Sequence, residues 1–207
     1  SIDEAILLNG DVNCVFITST NEMHLENFKV CLNKKIPYIY VEKPALGVQE
    51  YIEKRSDLDL DFLKYIQIGY HLNYIKPIKE LKTLFKEGIY GELLRLDLFL
   101  GHGLAYKKEF INSWRSKNSF ILVETVISHL INLSFEITGY KNHYNLNVYT
   151  KINKLNSFCD TIQVNFNFED KSIVNLMASW GSPLERTFKA YFSNAIWEYD
   201  FKKLRVK

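Results

Sequence analysis

The chain has 207 residues, of which 47% are hydrophobic and 24% charged, so it can bury the core of one large or two modest domains. Its net charge of +2 and its lack of a long apolar run argue against a nucleic-acid-binding protein and against a membrane span. The three cysteines, Cys14, Cys31 and Cys159, are few and odd in number, which favours a reduced, cytoplasmic location over secretion.

The first predicted elements are the end of a helix and two strands. Residues 1–8 are typical of a helix end that Gly10 terminates. Residues 12–17 and 36–41 are apolar runs of the kind that occurs in parallel strands buried on both faces of a sheet. The two runs therefore predict neighbouring strands of one parallel sheet.

The stretch between these strands predicts a helix. Ser19 or Thr20 would cap it, and Glu22 lies three residues after Ser19, where it would complete a capping box. A strand, helix and strand of this length form a right-handed crossover, so both strands end at one edge of the sheet, where ligands bind. The polar residues expected at that edge are Thr18, Ser19, Asn21, Glu42 and Lys43.

Two predicted helices and a third parallel strand follow. Residues 47–63 predict a helix and a loop, and residues 65–70 predict the strand. The next helix ends at Gly88 and presents its lysines to solvent. Its apolar stripe consists of Ile78, Leu81, Leu84 and Phe85.

From Glu92 onward, most of the sequence alternates between apolar and polar residues, which predicts strands. The first of these strands would place Leu94, Leu96, Leu98 and Leu100 on one apolar face. Short turn signals separate later runs at residues 143–151, 158–168, 172–180, 185–192 and 195–201. Consecutive strands with short turns predict a mostly antiparallel sheet.

A predicted helix at residues 124–139 interrupts this pattern and carries His129. The histidine shares helical spacing with Leu133 and Ile137, which places it on or beside the buried side. A lone histidine on such a face is more often a core residue than a catalytic one. Glu124 lies five residues before His129, and Thr125 lies four residues before it.

These elements resemble the glucose-fructose oxidoreductase, inositol dehydrogenase and rhizopine-catabolism (Gfo/Idh/MocA) family. Its pattern is an apolar strand, a Thr-Pro-Asn-like turn, a histidine on the next helix, and Glu-Lys-Pro after the second strand. The matching residues are 15–17, 18–21, His24 and 42–44. Thr20 stands where many members have proline.

Residues 129–133 resemble the family's His-x-Ile-Asp-Leu motif, but the acidic residue that precedes the motif does not have the spacing expected from the family. Thr125 occupies the expected position and Glu124 lies one residue further back. Either a helix bulge brings Glu124 round to His129, or the acidic partner is missing.

Two other segments resemble parts of the family pattern. Residues 69–74 match a turn in which Leu72 and Asn73 stand where basic residues are common, which argues against an anionic substrate. Trp114 and Arg115 match a Trp-Arg pair before the catalytic helix. If exposed, this pair would bind a sugar through stacking of the indole ring and through the forked hydrogen-bond donors of the guanidinium. An equally good interpretation is a tryptophan that packs at a domain boundary beside a surface arginine.

The resemblance implies an α/β plus α+β fold. Residues 1–71 would form the C-terminal part of a Rossmann parallel sheet, and residues 72–207 a mostly antiparallel open-sheet domain with flanking helices. No G-x-G-x-x-G phosphate turn occurs, and Gly101-His102-Gly103 is only a partial match. The strand at residues 12–17 would then have a bare edge, so we expect a longer protein or another chain to cover it.

The resemblance also implies an NAD(P)-dependent oxidoreductase that transfers hydride between NAD or NADP and a sugar, nucleotide sugar or cyclic polyol. Lys43 and His129 would flank the reacting hydroxyl group, with Glu124 as the acidic partner. The nicotinamide side would be lined by Thr18, Ser19, Asn21, His24, Glu42 and Lys43. The substrate would contact His71, Asn73, Trp114 and Arg115.

Further implications concern assembly and alternatives. A homodimer or homotetramer would form through the C-terminal sheet, and no metal site is expected. The alternatives are a non-catalytic sugar-binding, nucleotide-binding or oligomerisation relative, and an NAD-assisted glycosidase or lyase on the same fold.

Overall fold

The computed structural model describes residues 4–6, 11–45, 47–48, 66–117, 120–139, 143–153, 158–201 and 205–206. The chain divides into two compact units, Ser1–Tyr70 and His71–Lys207. The predicted helix and loop at residues 47–63 lie almost entirely outside the described residues. Within the described ranges, no helix is both long and apolar enough to cross a membrane.

The first unit contains a three-stranded parallel sheet and a helix between its first two strands. Strands β1 (Cys14–Ile17), β2 (Tyr38–Val41) and β3 (Ile66–Ile68) pair in sequence order, and both pairings are parallel. Helix α1 (Asn21–Asn33) connects β1 to β2, as predicted. The core between this helix and the sheet consists of Ile17, Leu25, Phe28, Cys31, Ile36, Ile39 and Val41.

The other face of this sheet corrects the prediction of strands buried on both faces. Phe16 is 68% exposed and Tyr38 is 65% exposed, while Ile17 and Ile39 on the α1 side are buried. The rings of Phe16 and Tyr40 contact each other, with their centroids 5.4 Å apart. Burial alternates along β1 and β2 because the described helix covers only one face.

The start of α1 corrects a second prediction. Thr20 occupies the N-cap position, but its side chain makes no capping hydrogen bond. The Ser19 hydroxyl accepts a hydrogen bond from the Asn27 amide at 3.0 Å, so the predicted capping box does not form. Glu22 still lies in the first turn, where a carboxylate stabilises the positive end of the helix dipole.

The second unit is built on a seven-stranded sheet. Its strands are β4 (Leu93–Gly101), β5 (His143–Ile152), β6 (Cys159–Phe168), β7 (Ile173–Ser179), β8 (Arg186–Phe192), β9 (Ile196–Asp200) and β10 (Arg205–Val206). They are arranged in the order β10-β9-β8-β4-β7-β6-β5. Among the described pairings of this second sheet, only β4–β7 is parallel. The sheet is therefore mostly antiparallel, as predicted.

The second unit also contains helical segments. They are a 3₁₀ turn (His71–Tyr74), α2 (Lys76–Glu87), α3 (Lys108–Ile111), a second 3₁₀ turn (Trp114–Lys117), a π-helical segment (Val123–Ile127) and α4 (Ser128–Thr138). Helix α2 ends at Gly88, whose φ of 64° is left-handed, as expected for a glycine that terminates a helix. Ile78 and Leu81 of α2 share a hydrophobic core with Leu130 and Leu133 of α4.

The apolar face of β4 is shifted at its start. Leu96, Leu98 and Leu100 are buried as predicted, but Leu94 is 51% exposed and Leu93 is buried instead. The register of β4 against β8 shifts between Leu93 and Arg95. A β-bulge of this kind adds one residue and reverses the alternation before it.

Gly101 and Gly103 have structural roles in a turn of the second unit. A Cβ atom on Gly101 would collide with the Ser182 hydroxyl and the Pro183 carbonyl, and Gly103 has a φ of 62°. Since the residues that follow do not begin a helix directly, this segment lacks the strand-to-helix geometry of a phosphate turn.

Candidate functional site

In the first unit, a polar cluster lies where β1 and β2 end. Thr18 and Ser19 are exposed, and Asn21, Glu42 and Lys43 are half-buried. The Glu42 N–H donates to the Ile17 carbonyl at 2.9 Å, so the sheet pairing continues to this point. Both strands therefore deliver polar residues to one edge of the parallel sheet, as predicted.

Glu42 is held by hydrogen bonds from residues on either side of it in the chain, and it lies close to the residue that follows β3. The Tyr40 hydroxyl donates to its Oε1 at 2.8 Å, and the Lys43 N–H lies 3.3 Å from its Oε2. A Cβ atom added to Gly69, just after β3, would lie 3.1 Å from the Glu42 carboxylate. The Glu42 carboxylate thus lies beside Gly69, where a larger residue would crowd it. These contacts together fix its orientation.

His24 lies on α1 and is only 1% exposed. Its Nδ1 is 2.7 Å from the Pro44 carbonyl oxygen, and its Nε2 is 3.0 Å from the Ser19 carbonyl oxygen. The imidazole therefore bridges the two loops that follow β1 and β2. The sequence resemblance placed this histidine on the nicotinamide side and did not predict the bridge.

The second unit carries its own polar cluster, centred on His129. His129 is 5% exposed and Glu124 is 6% exposed. The rings of His71 and His129 pack edge to face, with their centroids 4.8 Å apart. The first 3₁₀ turn and α4 are thus joined through two imidazoles.

A pair of amides extends this contact. The Asn73 amide nitrogen donates to the Asn132 side-chain oxygen at 2.6 Å. The Asn73 side-chain oxygen is buried and has no hydrogen-bond partner among the described residues. A buried acceptor of this kind is costly unless a ligand or water satisfies it.

A π-helical segment bears on the two alternatives that the sequence left open for Glu124. The Ser128 N–H donates to the Val123 carbonyl, five residues back, so the turn is one residue wider than an α-helical turn. The five-residue separation of Glu124 and His129 then corresponds to about one π-helical turn. The structure therefore contains a helix bulge before His129, as the first of the two alternatives requires.

Thr125 has a different environment. Its hydroxyl donates to the Ile121 carbonyl, within the helix. The position that holds the acid in the family pattern is therefore satisfied here by a main-chain hydrogen bond. Glu124 is the buried acidic residue of this segment.

The Trp114–Arg115 pair lies on the second 3₁₀ turn. Arg115 is exposed, and the Trp114 side chain lies outside the described part of the chain. Their predicted contact with a substrate stays a prediction.

The sequence missed several partners in these clusters. Tyr40 and Glu42 are two residues apart on a strand, so the two-residue period of strands would have suggested their contact. The His71–His129 and Asn73–Asn132 contacts join residues far apart in the chain, and no local spacing rule indicates them.

No family model matches the chain, and no curated protein matches it. Solved structures do share its fold. A myo-inositol dehydrogenase from Corynebacterium glutamicum aligns with a TM-score of 0.78 at 15% identity, covering 97% of this chain and 60% of its own length. An inositol dehydrogenase homologue from Azotobacter vinelandii, complexed with NADH and myo-inositol, aligns at 0.79 and 16%, covering 97% and 54%.

A levoglucosan dehydrogenase, in complex with NADH and levoglucosan, aligns with a TM-score of 0.79 at 14% identity, covering 97% of this chain and 57% of its own length. The chain thus spans between 54% and 60% of the length of these three proteins. At these identities the likeness shows a shared fold, which extends over both units of the chain.

Proposed function

From the fold that the chain shares with these dehydrogenases, we propose that the protein is an NAD(P)-dependent oxidoreductase. Its substrate would be a sugar, nucleotide sugar or cyclic polyol. The observation that carries the proposal is the pair of buried residues Glu124 and His129 on an interrupted helix, with the His129 ring in contact with His71. Buried titratable groups and π-bulges are both enriched at functional sites.

The proposed reaction requires a base near the substrate hydroxyl group. Hydride leaves a carbinol carbon as the hydroxyl proton is taken up, and imidazole and amine groups are common acceptors of such a proton. We assign these roles to Lys43 and His129, one of which accepts the proton while the other orients the oxygen. Glu124 would orient the imidazole, as carboxylates beside catalytic histidines do.

The first polar cluster suits the nicotinamide end of a cofactor. Exposed Thr18 and Ser19, with half-buried Asn21 and Lys43, follow parallel strands at the edge where α/β sheets bind nucleotides. When bound, the cofactor accepts or supplies the hydride. The sequence contains no G-x-G-x-x-G turn, so these residues do not account for binding of the pyrophosphate.

The second polar cluster suits a polyhydroxylated substrate. The buried Asn73 oxygen would accept a hydrogen bond from a substrate hydroxyl group, which would satisfy it. His71 is exposed and adjoins buried His129, so it offers a further polar contact. Trp114 and Arg115 remain proposed substrate contacts on the basis of the sequence resemblance.

We also propose that the protein assembles as a homodimer or homotetramer through the large sheet. Edge strand β5 exposes Leu146, Val148 and Tyr149, which are between 48% and 61% exposed. A native mass measurement tests this proposal, since a monomer at all working concentrations would contradict it.

The activity is tested by following absorbance of the reduced nicotinamide while the native full-length polypeptide is offered sugars, nucleotide sugars and cyclic polyols. Lys43→Met and His129→Asn should each lower turnover by about a hundredfold or more while cofactor binding stays near normal. Lys86→Met, at an exposed position on α2, is the matched control. Binding of cofactor and sugar without any turnover would favour the non-catalytic alternative, and hydrolysis without net reduction would favour the glycosidase.

A further inference from the structure

We infer that His24 is a positioning residue for Lys43. Its buried imidazole ties the main chain just after Lys43 to the main chain of the loop after β1. The inference rests on the proposed function for the role of Lys43, but the tie itself is independent of any activity.

The contacts of the ring support this role. Both ring nitrogens lie within hydrogen-bond distance of carbonyl oxygens, 2.7 Å from Pro44 and 3.0 Å from Ser19. Carbonyl oxygens only accept, so the ring must donate: the neutral imidazole donates one of these bonds, and the imidazolium donates both. With 1% exposure, the ring has no competing contact with bulk water.

The main chain around Lys43 is held on both sides. Before it, the Glu42 N–H donates to the Ile17 carbonyl at 2.9 Å, which is the end of the sheet pairing between β1 and β2. After it, Pro44 has no N–H to donate, and its carbonyl accepts from His24. The position of the Lys43 backbone is therefore set by the sheet on one side and by the imidazole on the other.

The second bond of the ring extends the tie to the proposed nicotinamide contacts. The Ser19 carbonyl oxygen lies 3.0 Å from His24 Nε2, and the Ser19 hydroxyl accepts from the Asn27 amide at 3.0 Å. Both His24 and Asn27 belong to α1. One rigid helix thus fixes the loop after β1 and the turn that carries Lys43.

The two ring bonds can be removed separately by substitution in the native full-length polypeptide. The amide nitrogen of His24→Asn lies near the position of Nδ1 and keeps the bond to Pro44. The amide of His24→Gln reaches the position of Nε2 and keeps the bond to Ser19, while His24→Leu keeps neither. His24→Leu keeps neither contact, so it should have the lowest melting temperature of the three variants.

Turnover should separate the two variants. His24→Gln, which loses the contact with Pro44, should have a turnover number tenfold to about a hundredfold below that of His24→Asn, because a displaced catalytic group costs rate steeply. The KM for the cofactor should rise in His24→Asn, which loses the contact with Ser19, and change little in His24→Gln. Equal turnover in the Asn and Gln variants would overturn the inference, since a merely structural histidine would not distinguish them.

A second readout does not depend on the proposed function. The rate at which an acylating reagent labels the Lys43 amine, followed by mass spectrometry and normalised to Lys86, should change severalfold in the Gln variant and remain unchanged in the Asn variant. Identical Lys43 labelling in the original, Asn and Gln proteins would refute the inference. If labelling follows the expected pattern but the original protein shows no turnover, the positioning role stands and the proposed function fails.

Discussion

The Tyr40–Glu42 hydrogen bond shows how a single hydroxyl orders the end of a strand. Strand residues two apart lie on one side of the sheet, so the Tyr40 side chain lies beside the Glu42 carboxylate. The Tyr40 hydroxyl donates to this carboxylate at 2.8 Å. The other carboxylate oxygen faces the Lys43 N–H at 3.3 Å. The Tyr40 hydroxyl is therefore linked to Lys43 through one intervening residue, Glu42, whose carboxylate contacts both.

Tyr40→Phe should lower the free energy of unfolding by about 1 kcal/mol, because the Glu42 carboxylate loses a neutral donor while the ring contact with Phe16 is kept. Urea unfolding measures the change. Tyr38→Phe is the matched control, since Tyr38 is 65% exposed, and it should shift stability by less than about 0.5 kcal/mol. Equal losses in the two variants would show that the Glu42 bond adds nothing.

The residues of the candidate site were easier to predict than their partners. Lys43, Glu124 and His129 stand in or near short motifs whose spacing along the chain can be read directly. The His71–His129 ring contact depends on how a 3₁₀ turn packs against α4, which is a property of the folded unit. His24 has a partner 20 residues away, the Pro44 carbonyl, and main-chain partners leave no mark in the sequence.

At the scale of elements, the π-helical segment is the feature that the sequence left undecided. In a regular α-helix Thr125 would lie about one turn before His129, whereas a π-helical turn is one residue wider and would favour Glu124. The Thr125 hydroxyl is already used within the helix, by the Ile121 carbonyl. The acidic role is therefore expected to belong to position 124 alone.

Glu124→Ala should lower turnover of the native full-length polypeptide by about a hundredfold, and Thr125→Asp added to it should restore none of that loss. A carboxylate at position 125 does not lie one π-helical turn from His129. Absorbance of the reduced nicotinamide measures the rates, and Glu136→Ala, at an exposed position on α4, is the control. Recovery of turnover in the double variant would mean that the helix is regular in solution.

For the molecule as a whole, strands were more predictable than their surroundings. The predicted ranges 158–168 and 172–180 agree with β6 and β7 to within one residue at each end. This agreement is expected because alternation and turn residues are local signals. The bulge near Leu94 and the missing cap at Thr20 were not predicted, since both depend on neighbouring strands and loops. The uncovered face of the first sheet likewise depends on what packs there.

That face bears on the prediction that a longer protein or another chain covers the first unit. β1 lies at one edge of the described three-stranded sheet, and its outer face exposes Cys14 and Phe16. An apolar sheet face and an unpaired edge attract further structure. The structures that share this fold are longer than this chain, which covers 60% of the Corynebacterium glutamicum dehydrogenase.

The reactivity of the three cysteines can show whether this sheet face is covered. Cys14 is exposed, Cys31 is buried and Cys159 is half-buried. Burial raises the pKa of the Cys159 thiol, and nearby Asp160 raises it further, although hydrogen bonds to the main chain oppose the shift. A raised pKa leaves less thiolate at a given pH, so Cys159 should react slowly near neutral pH and faster as the pH rises through its pKa.

In the 207-residue chain, an alkylating reagent should therefore label Cys14 first, Cys159 more slowly and Cys31 last, as mass spectrometry of the peptides would show. In the native full-length polypeptide, Cys14 labelling should fall at least tenfold if further residues cover the face, while the Cys159 rate serves as an internal control. Unchanged Cys14 labelling would mean that this face stays open to solvent. The apolar surface around Phe16 would then need a different explanation.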